Sequence, residues 1–176
     1  GLNNRRCFEY LAQQLVQQNF DQPVPMSLLV FDVDHFKQIN DRYGHDIGDQ
    51  VLQTIALNTH SEMRQHDILA RYGGEEFIAF LPETSLDEAL KVAERLRHKI
   101  ENIVIDLDSQ HRFSFSISIG AAILESCETD LMTLIKQADI ALYQAKANGR
   151  NRVEAYDPDL EQSLAGEMQN WQVKPA

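Results

Sequence analysis

The sequence has little cysteine and no closely spaced cysteine pair. Its 176 residues include two cysteines, Cys7 and Cys127, which form no CxxC motif and have no pair of histidines nearby. A secreted fold held together by disulfides and a cysteine-based zinc site both need more cysteine than this. We therefore expect two free thiols in a reducing, cytoplasmic environment.

The sequence also lacks a long apolar run and a signal peptide. No stretch is long enough to cross a bilayer, and no basic segment followed by an apolar one opens the chain. Hydrophobic residues still make up 43% of the sequence, a globular composition that fits one domain. We expect no membrane contact by this chain, while a membrane anchor elsewhere in a longer parent protein stays open.

An excess of basic residues is absent as well. Lysine and arginine number 16 against 27 aspartates and glutamates, which gives a net charge of −11 at pH 7. A general nucleic-acid surface would be basic, so we expect no nucleic-acid partner. A single nucleotide remains compatible with this charge, because it needs only a metal ion and a few local cations.

Apolar periodicity predicts an alternation of helices and strands. The order strand, helix, hairpin, helix, strand is that of the ferredoxin-like, split βαβ fold, an α+β class with a central antiparallel sheet and flanking helices. We expect the helices mainly on one face of this sheet. Residues 157–176 are polar and are predicted to be a tail or linker. The predicted helices are 4–18, 49–63, 87–103 and 131–147; the predicted strands are 26–33, a hairpin at 68–81, 113–123 and 152–156.

Acidic side chains lie at the ends of two predicted strands. Residues 73–77 read Gly-Gly-Glu-Glu-Phe at the tip of the predicted hairpin. Adjacent like charges destabilise each other unless a cation neutralises them. Strand 26–33 carries Asp32, and Asp34 follows at the alternate position, although aspartate is a poor strand residue. If Asp32 lies beside the hairpin tip, Asp32, Glu75 and Glu76 form an oxygen-rich pocket suited to Mg²⁺.

Several segments resemble the GGDEF family of diguanylate cyclases, in order and at the family's spacing. Residues 71–77 resemble the signature in its Gly-Gly-Glu-Glu-Phe form, and residues 31–49 resemble the nucleotide-binding segment. The resemblance covers about residues 1–156, which we predict to be the cyclase domain. The first four residues of the family's opening pattern are missing, so we expect a fragment of a longer protein. The resemblance implies the palm architecture shared with nucleotide cyclases and polymerases.

The resemblance implies a magnesium site, with Mn²⁺ as a substitute. Its ligands would be Asp32, the carbonyl of Val33 and Glu75, with Glu76 close by. Mg²⁺ typically takes one or two carboxylates and completes its shell with substrate phosphates. Glu75, or less favourably Glu76, would assist deprotonation of the attacking hydroxyl. The alternative from the residues alone is that Asp32 caps a turn and the glutamates are solvated.

The triphosphate would be held at three places. Glycine lets a phosphate approach the backbone at the hairpin, although a glycine pair also suits a plain turn. By resemblance, backbone amides and a lysine after the acidic strand contact the β- and γ-phosphates. Two cations at the end of the last helix match the family's second pair of phosphate contacts, and such cations are also favourable through the helix dipole alone. The implied phosphate contacts are Gly73, Gly74, Phe36, Lys37, Lys146 and Arg150.

An amide and a carboxylate suit recognition of guanine. Asp49 can accept hydrogen bonds from the N1–H and N2–H₂ groups of guanine, and Asn40 can satisfy another edge atom. Adenine offers no matching donors. His45 resembles a further residue of the substrate pocket, with packing in a loop as the alternative; for Asp49 the alternative is a favourable charge near a helix N-terminus.

Arg64 and Asp67 lie three residues apart, and Asp67 precedes Gly73 by six. Taken alone, such a pair is usually a surface pair of little consequence. In this register it resembles the family's Arg-x-x-Asp inhibitory site, which binds the product, and Arg95 matches the position of an auxiliary arginine. Arginine suits phosphate and the Hoogsteen edge of guanine.

The resemblance implies that two GTP molecules become cyclic di-GMP and two pyrophosphates. Each domain has one site and the product is two-fold symmetric, so a transient homodimer of facing domains is the simplest arrangement. The alternative is a catalytically inactive module that binds cyclic di-GMP or GTP as a sensor. Another palm enzyme, such as an adenylate or guanylate cyclase, is disfavoured by Asn40, Asp49 and the Arg-x-x-Asp pair.

Overall fold

The computed structural model of the chain describes residues 2–18, 24–107, 111–124 and 129–159. Helices and strands alternate along most of this length. The helices are α1 Arg5–Gln18, α2 Phe36–Tyr43, α3 His45–Glu62, α4 Leu86–Glu101 and α5 Leu131–Ala147. The strands are β1 Asn3–Asn4, β2 Met26–Val33, β3 Ile68–Arg71, β4 Glu76–Leu81, β5 Val104–Asp106, β6 Arg112–Ser114, β7 Ile117–Leu124 and β8 Val153–Ala155.

The main sheet has six strands in the order β1-β3-β4-β2-β7-β8. β2 is antiparallel to β4 and β7, and β3 is antiparallel to β4. The edge strands β1 and β8 are each parallel to their neighbour. The predicted α+β fold with an antiparallel centre is confirmed, and the parallel edges make the sheet as a whole mixed.

Helices cover both faces of the sheet, so the prediction of helices mainly on one face is wrong. All eight residues of β2 are buried. Leu29 and Phe31 join a core formed with α2, α3 and α4, whereas Leu28 and Val30 join a second core formed with α1 and α5. Since side chains alternate across a strand, an uninterrupted apolar strand is the pattern of a sheet buried on both faces.

Two segments differ from the predicted elements. Residues 36–43 form a separate helix, α2, and Gly44, with a φ of 87°, separates it from α3, which begins at His45 instead of residue 49. The predicted strand 113–123 is divided into β6 and β7, because β6 pairs with β5 in a separate two-stranded sheet.

The boundaries of α5 are confirmed, and those of α1, α4 and β8 differ from the prediction by one or two residues. α5 has the predicted range 131–147, and the Asp130 side chain caps it by accepting a hydrogen bond from the backbone N–H of Thr133 at 2.7 Å. Cys7 is an exposed free thiol. Cys127 and residues beyond 159 lie outside the described residues, so the tail stays a prediction. Within the described ranges, no helix is both long and apolar enough to cross a membrane.

Candidate active site

The acidic hairpin lies directly beside the acidic end of β2. In the register of β2 with β4, Asp32 is opposite Glu76 and Phe31 is opposite Phe77. The rings of Phe31 and Phe77 are stacked with their centroids 5.5 Å apart, which fixes this register inside the core. The juxtaposition of Asp32 with the hairpin glutamates, predicted from the sequence, is therefore present in the fold.

The hairpin tip is held by its own backbone and by Arg71. The N–H groups of Tyr72 and Gly73 both donate to the carbonyl of Glu76, at 2.8 and 3.2 Å. The Arg71 guanidinium donates to the carbonyl of Gly74 through Nε and Nη2, at 3.1 and 2.6 Å. The carbonyls of Glu76 and Gly74 thus accept two hydrogen bonds each, and these bonds stabilise the conformation of the tip.

The two glycines serve different purposes at this tip. A Cβ on Gly73 would lie 2.5 Å from Oε2 of Glu76, so Gly73 makes room for that carboxylate. A Cβ on Gly74 would meet nothing within 4 Å, so Gly74 leaves one side of the tip open. Neither glycine has a positive φ. The glycine pair therefore provides space and not a left-handed turn.

Asp32 is 5% exposed and is surrounded by both signs of charge. The pKa of its carboxyl is raised to about 6, chiefly by burial; Lys146 opposes the rise, and Glu75 and Glu76 contribute to it. The Lys146 ammonium lies 2.8 Å from Oδ2 of Asp32. A predicted phosphate contact thus pairs with a predicted metal ligand.

The donor set at this point fits a magnesium ion. The three carboxylates are hard oxygen ligands; Asp32 lies opposite Glu76 in the sheet register, and Glu75 is the neighbour of Glu76 in sequence. In the part of the chain that the structure describes, no three His, Cys, Asp or Glu side chains are already arranged as a metal centre. Mg²⁺ needs only one or two carboxylates and takes phosphate oxygens for the rest. Val33, whose carbonyl is the remaining predicted ligand, is the last residue of β2.

The remaining phosphate candidates lie at the start of α2 and at the end of α5. Phe36 and Lys37 are the first two residues of α2, where backbone N–H groups have no partner within the helix. Lys146 is in the last turn of α5, and Arg150 follows with a positive φ of 64°. α5 lies close against β7 because Gly120 has no side chain; a Cβ there would clash with the backbone of α5.

The guanine candidates lie on α2 and α3. The Asn40 Oδ1 atom is buried and, within the described part of the chain, has no hydrogen-bond partner. A Cβ on Gly48 would clash with this same atom, so Gly48 leaves the space that the Asn40 amide occupies. Asp49 and His45 are both exposed on α3. A buried acceptor without a donor is unfavourable, and a guanine N–H group would satisfy it.

A cavity of about 700 Å³ connects part of these residues. Its lining includes Asp49 on α3 and Gly73 at the hairpin, together with β1 and the start of α1, but neither Asn40 nor His45. The cavity therefore joins one guanine candidate to the hairpin.

The inhibitory candidates form a separate group at the end of α3. Arg64 and Asp67 close a turn, in which the Arg64 N–H donates to Oδ2 of Asp67 at 2.6 Å and the Asp67 N–H donates to the carbonyl of Arg64 at 3.1 Å. Oδ1 of Asp67 is buried without a partner among the described residues. Arg95 pairs with Glu62 at 2.5 Å, which brings α4 beside the end of α3.

Sequence reasoning missed one acidic group near the hairpin. Asp139 lies on α5, where burial, with a smaller contribution from the charge of Glu76, raises the pKa of its carboxyl to about 7. Its one sequence signal is a lone carboxylate between apolar residues of a largely buried helix.

The contact of α1 with the hairpin was also not predicted from the sequence. The Tyr72 hydroxyl donates to Glu9 at 2.9 Å, and the Arg5 guanidinium lies 4.6 Å from the centre of the Tyr72 ring. Tyr72 immediately precedes the glycine pair, so α1 contacts the base of the Gly-Gly-Glu-Glu-Phe hairpin. No periodicity in the sequence predicts this contact.

Comparison with known proteins gives the same family throughout. The family model for the GGDEF domain of diguanylate cyclases matches residues 1–152. Diguanylate cyclase DosC of Escherichia coli K12 is 39% identical over 159 residues, which cover 90% of this chain and 34% of DosC. The chain spans 34–43% of the length of the first curated relatives that it matches.

Solved structures agree with the sequence relatives. The GGDEF domain of DgcB from Caulobacter crescentus, in complex with c-di-GMP, superposes with a TM-score of 0.85 at 29% identity, covering 89% of each chain. The active GGEEF domain of a diguanylate cyclase from Vibrio cholerae gives 0.82 at 33% identity, covering 89% of this chain and 99% of that one. The fold is thus that of a GGDEF domain, and the chain belongs to the GGDEF family of diguanylate cyclases.

Proposed function

We propose that this domain is a magnesium-dependent diguanylate cyclase that condenses two GTP molecules into cyclic di-GMP and two pyrophosphates. The observation that carries the proposal is the complete Gly-Gly-Glu-Glu-Phe hairpin, with Asp32 opposite Glu76 and a cavity reaching from Gly73 to Asp49. The contact of Lys146 with Asp32 supports the proposal further, because it joins a candidate phosphate contact to a candidate metal ligand.

Different residues bind the guanine, bind the triphosphate and accept the proton of one GTP molecule. Asp49 and Asn40 bind the guanine edge, with His45 beside them. The N-terminus of α2, the hairpin glycines, Lys146 and Arg150 bind the triphosphate. Glu75, or less favourably Glu76, takes the proton of the 3′-hydroxyl.

Asp32, the Val33 carbonyl and Glu75 would hold the metal. Mg²⁺, or Mn²⁺ in its place, lowers the pKa of the 3′-hydroxyl and stabilises the charge that develops on the α-phosphate. A bound triphosphate would compete with Asp32 for Lys146, and Asp32 would then be available to hold the metal.

The reaction needs two copies of the domain. One domain presents one GTP, so each 3′-hydroxyl attacks the α-phosphate of the GTP held by the other copy, in a transient two-fold homodimer. The product would bind back at Arg64, Asp67 and Arg95 and inhibit the enzyme.

The test is incubation of the protein with GTP and Mg²⁺, followed by chromatography of the products. Cyclic di-GMP together with pyrophosphate is the expected result, and both should be absent when the metal is removed by a chelator. Binding of GTP or cyclic di-GMP without turnover would instead identify an inactive sensory module. Formation of cyclic GMP or cyclic AMP would identify a different palm enzyme.

A further inference from the structure

The segment that carries Arg150 has an unfavourable backbone conformation. Arg150 and Asn151 follow one another with positive φ values of 64° and 47°. Residues with a Cβ adopt this left-handed conformation only when their surroundings impose it. The turn also connects α5 to β8, so its shape decides where the Arg150 side chain begins.

Asp34 imposes this conformation from the end of β2. Its Oδ2 accepts a hydrogen bond from the Asn151 backbone N–H at 3.0 Å. The hydroxyls of Ser116 and Ser118 donate to the two oxygens of Asp34 at 2.6 Å each. Asp34 is 5% exposed, so the carboxylate is held from three sides inside the protein. Its bonding is thus directed at the turn and at β7.

Two side chains of α4 also form hydrogen bonds with this turn. The Asn151 Oδ1 accepts from Nη1 of Arg97 at 2.8 Å, and its Nδ2 donates to Oε1 of Glu101 at 2.6 Å. Arg97 is 8% exposed and also pairs with Glu94 and Glu101. A buried guanidinium with several partners is a rigid support.

The two aspartates at alternate positions therefore hold the two ends of one short segment. Asp32 binds the side chain of Lys146, and Asp34 binds the backbone of Asn151. Between these two points lies Arg150, the second predicted phosphate contact. This arrangement explains why the strand end carries two aspartates.

We propose that Asp34, together with Asn151 and its partners Arg97 and Glu101, is a positioning device that fixes the left-handed turn and directs Arg150 at the substrate triphosphate. The proposal rests on the proposed function, because it assumes that Arg150 contacts phosphate. Asp34 acts through Arg150 and does not itself touch the nucleotide.

Calorimetry of a non-hydrolysable GTP analogue, with Mg²⁺ and with GMP as the comparison ligand, tests the proposal. Asp34→Asn should weaken binding of the triphosphate about tenfold, the scale of one lost charge-assisted contact. Binding of GMP should change less than twofold, because the guanine contacts lie on α2 and α3. In the Arg150→Ala background, the same Asp34→Asn change should have almost no further effect.

Asn151→Gly provides a second variant, should Asp34→Asn fail to fold. Glycine keeps the backbone N–H and tolerates the positive φ, but removes the bonds to Arg97 and Glu101. It should weaken triphosphate binding several-fold, again only when Arg150 is present. The matched control is Asn148→Ala, which removes an exposed side-chain hydrogen bond to Glu154 beside the same turn and should leave binding unchanged.

The experiment distinguishes a failure of the proposed function from a failure of the positioning role. If Arg150→Ala leaves the affinity for the triphosphate unchanged, the phosphate role of Arg150 in the proposed function is wrong. If Arg150→Ala weakens binding but the effect of Asp34→Asn adds to it in full, Asp34 is only a structural residue and the positioning role is overturned.

Discussion

Glu75 and Glu76 are adjacent residues with different surroundings. Glu76 lies opposite Asp32 in the sheet and packs over Gly73. Glu75 precedes β4 and is partly exposed at the tip. A general base must reach the substrate, and Glu75, which lies outside the paired strand, meets this need better than Glu76, which is paired with Asp32 and packs over Gly73.

Glu75→Gln should therefore reduce turnover with Mg²⁺ by about 100-fold or more, the usual scale for loss of a general base. The thermal midpoint should stay close to that of the wild type, because the side chain is not part of the core. Initial rates of cyclic di-GMP formation and a thermal melt measure the two quantities. Asp106→Asn, an exposed change on β5, is the control. Near wild-type turnover of Glu75→Gln would show that the base and the metal site are misplaced.

Gly48 offers a test of the guanine site that separates sterics from helix stability. Alanine in a helix is normally more stable than glycine by about 1 kcal/mol. Here a Cβ would displace the Asn40 amide, so Gly48→Ala should lower the affinity for GTP by about 1–3 kcal/mol, as Asn40→Ala should. The double variant should be no worse than either single variant. Calorimetry provides the affinities, and fully additive losses would contradict a shared cause.

Asp139 should make stability depend on pH. Its pKa is raised from 3.8 to about 7 in the folded protein, so between these values the folded state binds more protons than the unfolded state. The contribution of the Asp139 carboxyl to the free energy of unfolding is fully present below the unfolded-state pKa of 3.8. It is lost as the pH rises through the folded-state pKa of about 7. Asp139→Asn should remove this loss and stabilise the protein more at pH 8 than at pH 5, with a ceiling of about 4 kcal/mol at pH 8.

Urea denaturation of wild type and Asp139→Asn at the two pH values measures this difference. Taking the difference between the two proteins cancels the titration of Asp32, which both contain. An equal stability difference at pH 5 and pH 8 would place the Asp139 carboxyl in an ordinary solvated state.

At the scale of elements, apolar patterns located most helices and strands but not their partners. α5 was predicted at both ends from its apolar run and from Asn148-Gly149, which terminates it; the Asp130 cap is visible only in the structure. α2 was missed because it has only eight residues, of which Phe36 and Ile39 are buried, too few for a helical period to stand out. The alternation of apolar residues from Phe113 to Ile119 continues from β6 into β7. Periodicity alone therefore does not reveal that these residues belong to two strands.

The site was predicted better in its residue types than in its contacts. Two unusual aspartates and a glycine pair pointed to the hairpin, because such residues are poor strand formers. The bond of Lys146 to Asp32 spans 114 positions, and that of Asn151 to Asp34 spans 117. Long-range pairs of this kind follow from the tertiary fold and leave no local pattern.

The turn between α3 and β3 connects the inhibitory candidates to the hairpin of the candidate active site. β3 begins at Ile68 and runs directly to Tyr72 at the base of the hairpin. A ligand bound by Arg64 and Asp67 is therefore close to the active site along the chain, yet in a separate group of residues. Arg95 pairs with Glu62 in this structure. In a pair of domains, Arg95 of one copy would contact the ligand that Arg64 of the other copy binds.

Arg64→Ala should relieve inhibition by cyclic di-GMP while GTP binding stays intact. Removing the guanidinium deletes a bidentate partner for phosphate or guanine and should weaken cyclic di-GMP binding at least tenfold, about 1.4 kcal/mol. Calorimetry with cyclic di-GMP measures this, with Arg112→Ala, an exposed arginine on β6, as the control. Equal affinity in wild type and Arg64→Ala would leave the pair as an ordinary surface turn.

The net charge of −11 bears on the whole molecule, because the proposed reaction brings two copies of the domain together. Two like-charged domains, each binding an anionic nucleotide, repel each other at low ionic strength. Since the Debye length falls to about 10 Å at 0.1 M salt, moderate salt should favour the encounter. The rate of synthesis is then limited by how often two domains face each other.

Specific activity should therefore rise with protein concentration, and a leucine zipper fused ahead of the N-terminus should raise it at low concentration. The zipper converts the encounter into an intramolecular step with an effective concentration on the order of millimolar. Initial rates of cyclic di-GMP formation over a dilution series, at low and moderate salt, measure both effects. A zipper with the same linker but a charge-reversed, non-pairing sequence is the control. If specific activity is constant on dilution and the pairing zipper changes nothing, then one copy suffices or a stable dimer already exists, and sedimentation at the same concentrations decides between those two states.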